Sequence, residues 1–186
     1  MQYFLLSSGE HTRPLNAEGL MSLMPGRLLT KAQAGKLEDT NVIFIDSQTE
    51  EPYPDVITRP AYLVSNGVRE LLGKYDRSLV FKAVPLIDRR TDEQQLYWSL
   101  GLDEIECLSD QTVYDKGCQI RDIVLDETKI NNKAIFKLGG TLGTYLIVRL
   151  DVAESLFRRP IYGIVLTPVR TEQNEEGDNV RVLHST

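Results

Sequence analysis

Residues 133–169 constrain the fold more than any other stretch of this chain. Lys133-Ala134-Ile135-Phe136-Lys137-Leu138 runs into Gly139-Gly140-Thr141-Leu142-Gly143, and Tyr145-Leu146-Ile147-Val148-Arg149-Leu150 follows at once. Two β-rich runs around a glycine-rich turn predict a hairpin. The hydrophobic period then changes. Asp151, three residues before Glu154, matches a capping box, and Val152, Ala153, Leu156 and Phe157 share one face of the helix it would open. Pro160 stops that helix because it has no N–H to donate, and Ile161-Tyr162-Gly163-Ile164-Val165-Leu166-Thr167 returns as a strand. The unit is a structural core without a nucleophile, metal cluster or cofactor loop.

The rest of the chain supplies strands for that core to pair with. Gln2 to Ser7 reads as a first strand and Asn41 to Asp46 as a second, apolar enough to be central or covered on both sides. Between them Pro14, Gly19, Pro25, Gly26 and Gly35 break the pattern, and Leu20, Leu23 and Met24 offer one possible helical turn. Glu50 to Pro60 carries three prolines and predicts an extended loop. Ser65 then caps the clearest helix, with Val68, Leu71, Leu72 and Tyr75 on one stripe. Leu79 to Asp88 is a strand, and Gln94 to Leu100 alternates so that Leu96, Trp98 and Leu100 share a side, which places Trp98 in the core. Ile105 to Leu108 predicts a short edge piece. A small hairpin follows from Thr112 to Ile120, and Ile123 to Leu125 continues the β region.

These runs predict a single α+β domain: a largely antiparallel, bent sheet with two main short helices, at about 65–75 and 151–159. Residues 1–40 read as a loosely structured arm that carries the first strand, 41–170 as the main domain, and 171–186 as an acidic, flexible tail holding Glu172, Glu175, Glu176 and Asp178.

Composition narrows the function. The 186 residues suffice for one core, and 27 acidic against 21 basic side chains give a net charge of −6. That balance disfavours direct nucleic-acid binding, which needs a basic surface to release counterions, and suits a basic protein partner. No apolar run reaches the roughly 20 residues of a membrane helix. Met1-Gln2-Tyr3-Phe4-Leu5-Leu6 lacks a positively charged leader region, and two cysteines are too few for a disulfide framework. A cytoplasmic protein with free thiols is the expectation.

Chemistry-bearing residues are sparse. The turn at 139–143 has the glycines of a phosphate cradle, but a cradle opens a helix and this one precedes a strand. His11 and His184 are the two histidines, one in the weakly structured arm and the other near the end of the chain, while Cys107 and Cys118 lack zinc-site spacing and fit small buried positions. No catalytic, metal or cofactor-binding residue is assigned. Asp103, Glu104, Glu106 and Asp110 form the densest acidic cluster, either a solvated strand edge or a recognition patch for a basic partner.

The order of several motifs resembles the DUF1629 (Imm11) family of bacterial immunity proteins from polymorphic toxin systems. The likeness spans residues 60–169: Tyr62-Leu63-Val64-Ser65 with its helix, Phe81 to Ile87, Leu96-Tyr97-Trp98, Glu104 to Leu108, Ile123 to Asp126, and Leu150 to Leu156 before Gly163-Ile164. The resemblance implies a small cytoplasmic protein that binds and neutralises a cognate toxin domain, with no catalytic residues to carry over. Asp103, Glu104, Glu106 and Asp110 are then the expected contact site, and a basic nuclease is one suitable toxin. The competing readings are a small-molecule-binding or hydrolytic enzyme using carboxylates, which needs acidic residues converging in a pocket, and a homo-oligomeric scaffold.

Overall fold

In a computed structural model, which describes residues 1–9, 16–18, 28–46, 52–59, 61–117, 119–172 and 183–184, the 133–169 unit forms as its pattern predicts. The strands in chain order are β1 (Tyr3–Ser8), β2 (Asn16–Glu18), β3 (Leu29–Thr30), β4 (Ile43–Asp46), β5 (Val56–Ile57), β6 (Leu63–Ser65), β7 (Val80–Asp88) and β8 (Gln94–Leu102). They continue with β9 (Glu104–Ile105), β10 (Val113–Tyr114), β11 (Ile120–Asp122), β12 (Val124–Leu125), β13 (Ile135–Leu138), β14 (Leu146–Arg149), β15 (Ile164–Thr171) and β16 (Leu183–His184). Helix α1 (Lys31–Ala34) is a single turn, and α2 (Asn66–Tyr75) and α3 (Leu150–Phe157) are the two main helices.

β13 and β14 pair antiparallel with Phe136 opposite Ile147, closing the hairpin over the glycine turn. β14 is flanked in turn by β1, with Leu5 opposite Ile147, and β1 by β15, with Leu6 opposite Leu166. The sheet runs β12-β15-β1-β14-β13-β9, with β16 also against β15. The first strand of the chain therefore lies inside the sheet. Tyr3 and Leu5 face one core with Phe136 and Ile147, while Phe4 and Leu6 face another with Leu146, Val148 and Leu166, so both faces of β1 are covered.

A second sheet runs β2-β4-β7-β8-β6-β5, with β3 pairing β8, and it is mostly antiparallel. Both sheets contain parallel pairs, and β10 and β11 form a separate ribbon. The α+β class and the two helices agree with the sequence pattern. The strands, however, divide between two curled sheets rather than sharing one, because α2 and α3 pack between them. Val68, Leu71 and Leu72 of α2 and Val152 and Leu156 of α3 join Phe4, Leu6 and Leu166 of one sheet to Val64, Leu100 and Leu102 of the other. Each fully buried side chain of this kind contributes about 1.5–3 kcal/mol.

Ser65 caps α2 as expected, its Oγ accepting from the N–H of Val68 at 3.4 Å and donating to Asp55. Asp55 also accepts from the N–H of Tyr162 at 2.7 Å, which ties the start of α2 to the segment before β15. The helices are joined to each other by the Tyr75 hydroxyl, 3.0 Å from the Asp151 carbonyl and 2.5 Å from Ser155 Oγ.

Several expectations are corrected. The capping box at Asp151 and Glu154 does not form. Strand pairing runs on through Arg149, whose N–H donates to Ala134 O at 2.8 Å, so Arg149 becomes the N-cap and the helix starts at Leu150. The Asp151 carboxylate instead accepts from the Arg149 guanidinium at 2.9 and 2.8 Å, an interaction that holds its carboxyl below the usual range. β4 is central but covered on one face only: Ile43 and Ile45 are buried whereas Phe44 is exposed beneath the Arg89 guanidinium. Leu96 is 48% exposed and leaves the core side, whereas Trp98 is half-buried against the core cluster and Leu100 lies within it. Residues 29–34, expected within the loose arm, form β3 and α1, and the 50–60 loop holds β5. The helical turn anticipated at Leu20, Leu23 and Met24, His11, Cys118 and most of the acidic tail lie outside the described residues.

Candidate functional site

The acidic segment is dispersed by its own folding. Asp103 follows β8 and accepts from Lys31 Nζ at 2.7 Å and from Lys133 Nζ at 2.5 Å. Lys133 also stands 2.9 Å from Asp76, at the C-terminal end of α2, so two lysines and two aspartates stitch α1, α2 and the approach to β13 together. The hydrogen bonds from Lys133 and Lys31 hold the Asp103 carboxyl below the ordinary aspartate value. Glu104 is exposed and pairs with Lys137 at 3.0 Å. Glu106 is exposed with no ion pair among the described residues, and Asp110 lies on a separate turn near Lys129, whose ammonium form is favoured chiefly by Asp126 and to a smaller extent by Asp110. Between them Cys107 is fully enclosed, and burial, followed by the nearby Asp126, pushes its thiol up to about 11. Two of the four carboxylates are thus neutralised within the fold, and the four do not converge.

What Glu104 and Glu106 do share is the glycine turn between β13 and β14. A β-carbon at Gly139 would stand 2.9 Å from Glu106 Cγ and 3.0 Å from Glu104 Cγ, so glycine is what permits these strands to meet. Gly140 takes φ +70°, a left-handed conformation that glycine adopts without a side-chain clash. Gly143 lets the Tyr145 ring fold back over the turn, because a β-carbon there would fall 2.4 Å from the ring. The turn is held internally by Thr141 Oγ1, which donates to Gly143 O at 3.1 Å. Leu142, at its tip, is 95% exposed.

Residues 140–145 form one wall of an open cleft of about 680 Å³. Ser7 near the end of β1, Thr58 and Arg59 after β5, and Tyr114, Gly117, Gln119 and Ile120 of the β10–β11 ribbon also line it. Ser8 and Thr58 fasten the first strand to the second sheet beside it, their hydroxyls 2.6 Å apart. Tyr114 is 51% exposed, and Arg59 is exposed with no hydrogen bond or ion pair among the described residues. Burial, with a smaller contribution from Asp115, raises the Tyr145 phenol above its ordinary value. The described lining offers hydroxyls, an amide, a guanidinium and aromatic rings. No group of three or more His, Cys, Asp or Glu side chains among the described residues is placed to hold a metal.

The glycine spacing predicted the turn but not the role of Leu142. A large aliphatic residue inside a glycine-rich turn, with no periodic partner, is the signal that marks it. Arg59, flanked by Thr58 and Pro60 in a proline-rich loop, carries no comparable signal.

Comparison with protein-family models, with curated proteins and with solved structures found no match to this chain. No described helix is long and apolar enough to cross a membrane.

Proposed function

We propose that this chain is a non-catalytic immunity protein that captures a cognate bacterial toxin domain in the cytoplasm and neutralises it by stoichiometric binding through the 139–145 face. The observation that carries this reading is Leu142, an aliphatic side chain held out at the tip of a turn whose glycines are packed against their neighbours. A projecting apolar residue on a fixed backbone loses little entropy on docking, which is how interface anchors work. Tyr114 beside it supplies a half-exposed aromatic ring, Glu104 and Glu106 flank the turn, and the cleft can receive a side chain of the partner.

The motif order resembling the immunity family supports the same reading, as does the net charge of −6, which suits a basic toxin such as a nuclease. Neutralisation demands tight binding; a sub-nanomolar complex corresponds to more than about 12 kcal/mol. Glu106 and Asp110 are the carboxylates of the acidic segment best placed to steer such a partner, since Asp103 and Glu104 are already paired.

The test is co-expression of this protein with the C-terminal domain encoded by the neighbouring reading frame. Growth rescued by the wild-type chain and lost with Leu142→Asp supports capture through this face. A toxic neighbour against which the chain gives no protection rejects the pairing.

The cleft volume also lies within the range of small-ligand sites. A small-molecule-binding role predicts that Arg59→Ala abolishes function while Leu142→Asp preserves it.

A further inference from the structure

Among the described residues, nothing covers half of one face of the second sheet. On this face Val64 and Leu100 are buried in the cluster that holds Val68, Leu71 and Leu72 of α2. Beyond it the strand register sets Phe44 beside Ile87 and Pro85 beside Leu96, with Ala83 beside Trp98. Phe44 is 38% and Leu96 48% exposed, and Pro85, Ile87 and Trp98 are half-buried, so the strip is contiguous and apolar, partly open to solvent and overlain at its ends by Arg89 and Arg69. Contiguous apolar surface of this kind marks an interaction site.

Its charged groups lie towards opposite corners, Arg69 at one and Asp46 with Arg89 at the other, where the Arg89 guanidinium carbon is 4.8 Å from the Phe44 ring centroid. At one corner Arg69 stacks on Trp98, its guanidinium carbon 3.9 Å from the ring centroid and 5.6 Å from that of Phe81. Arg69 makes no hydrogen bond or ion pair among the described residues, and both its Nε and Trp98 Nε1 are enclosed without an acceptor. A half-buried cation without a carboxylate is costly, and the cation–π contact offsets only part of that. At the other corner Asp46, two residues beyond Phe44 and on the same side of β4, is exposed and likewise has no hydrogen-bonded or ion-paired side-chain partner among the described residues.

We propose that this face is the interface of a two-fold symmetric homodimer in which Arg69 of each copy pairs with Asp46 of the other. A half-turn about an axis lying in the face near Pro85 exchanges the two corners, bringing each cation to a carboxylate while the apolar strips meet. The occupant is a second copy because the face carries, at opposite corners, a cation and a carboxylate that have no partner among the described residues. An isologous interface has that self-complementarity, and a foreign partner would have to supply it. The proposal uses none of the residues of the 139–145 face and stands or falls independently of toxin capture.

The experiment is sedimentation velocity on the full chain over a wide concentration range. The wild type is expected to sediment at twice its 21.1 kDa chain mass. Leu96→Glu and, separately, Phe44→Lys are expected to give monomers that keep the wild-type circular dichroism, since both positions are solvent-exposed. Arg69→Asp and Asp46→Arg should each weaken self-association about tenfold or more. An equimolar mixture of these two variants should restore the dimer, because each heterologous pair then regains two opposite-charge contacts. A wild-type chain that stays monomeric at every concentration overturns the proposal. So does a dimer that survives both Leu96→Glu and Phe44→Lys, or a variant mixture that fails to associate.

Discussion

The hydroxyl of Tyr62 donates to the carbonyl of Leu6 across 2.8 Å, tying the approach to β6 in the second sheet to β1 in the middle of the first. Both residues are buried, and burial raises the phenol well above its ordinary value, which favours the protonated donor form. Tyr62→Phe keeps the ring and deletes the bond. The expected loss is about 1 kcal/mol, read as a fall in Tm of roughly 2–4 °C in a thermal melt.

The Lys31–Asp103–Lys133–Asp76 cluster gives stability a defined pH dependence. Asp103 is held low by its bonds from Lys133 and Lys31. At Asp76 burial works upward, but Ser78 and Lys133 outweigh it and leave the carboxyl below the ordinary value of 3.8. Groups depressed in the folded state stabilise it fully above their unfolded pKa and lose that contribution as pH falls through the folded value. Lys133 runs the other way: burial lowers its pKa, the Asp103 and Asp76 bonds raise it further, and its contribution is lost only as pH rises above 10.5. Asp103→Asn should therefore unfold at lower denaturant than the wild type at neutral pH. The gap should close as both are taken into strong acid.

Gly139→Ala places a methyl 2.9 Å from Glu106 Cγ and 3.2 Å from the Glu106 backbone nitrogen, where the Gly139 N–H to Ile105 O bond of 2.8 Å prevents the strands from separating. Overpacking at such a site costs about 1–3 kcal/mol. Gly117→Ala is the control: its nearest neighbour would be Asp115 Oδ1 at 3.4 Å, and its effect should stay within about 0.5 kcal/mol. Chemical denaturation of the two variants side by side measures the difference.

Cys107 should be inert in the native protein. Its sulfur is enclosed, and with the thiol pushed up to about 11 almost none is thiolate at neutral pH. In a Cys118→Ser background, alkylation by iodoacetamide is expected to follow global unfolding in denaturant. Modification at the native baseline would show that the β9–β12 region opens locally.

Local features of the fold were legible and nonlocal ones were not. The Ser65 cap with its Val68, Leu71 and Leu72 stripe, and the hairpin over 139–143, are set by residues within a few positions of each other. The β3–α1 segment depends on a distant residue, because Ala34 fits only where Gly101 leaves room; a β-carbon there would lie 2.5 Å from that of Ala34. The exposure of Phe44 depends on which segments pack against the second sheet, which no period within β4 records. The acidic segment reads as four free carboxylates in sequence. The lysines that neutralise Asp103 lie 72 and 30 residues away, and only folding brings them there.

The most direct measurement is calorimetric titration of the purified neighbouring toxin domain with the wild-type chain and with Leu142→Asp. Capture through the 139–145 face predicts a one-to-one complex in the nanomolar range or tighter, weakened about 30-fold or more by the substitution, as for a buried anchor worth about 2 kcal/mol. Equal affinity of the two proteins would contradict the assignment of the face, and no heat of binding with either would contradict neutralisation by capture.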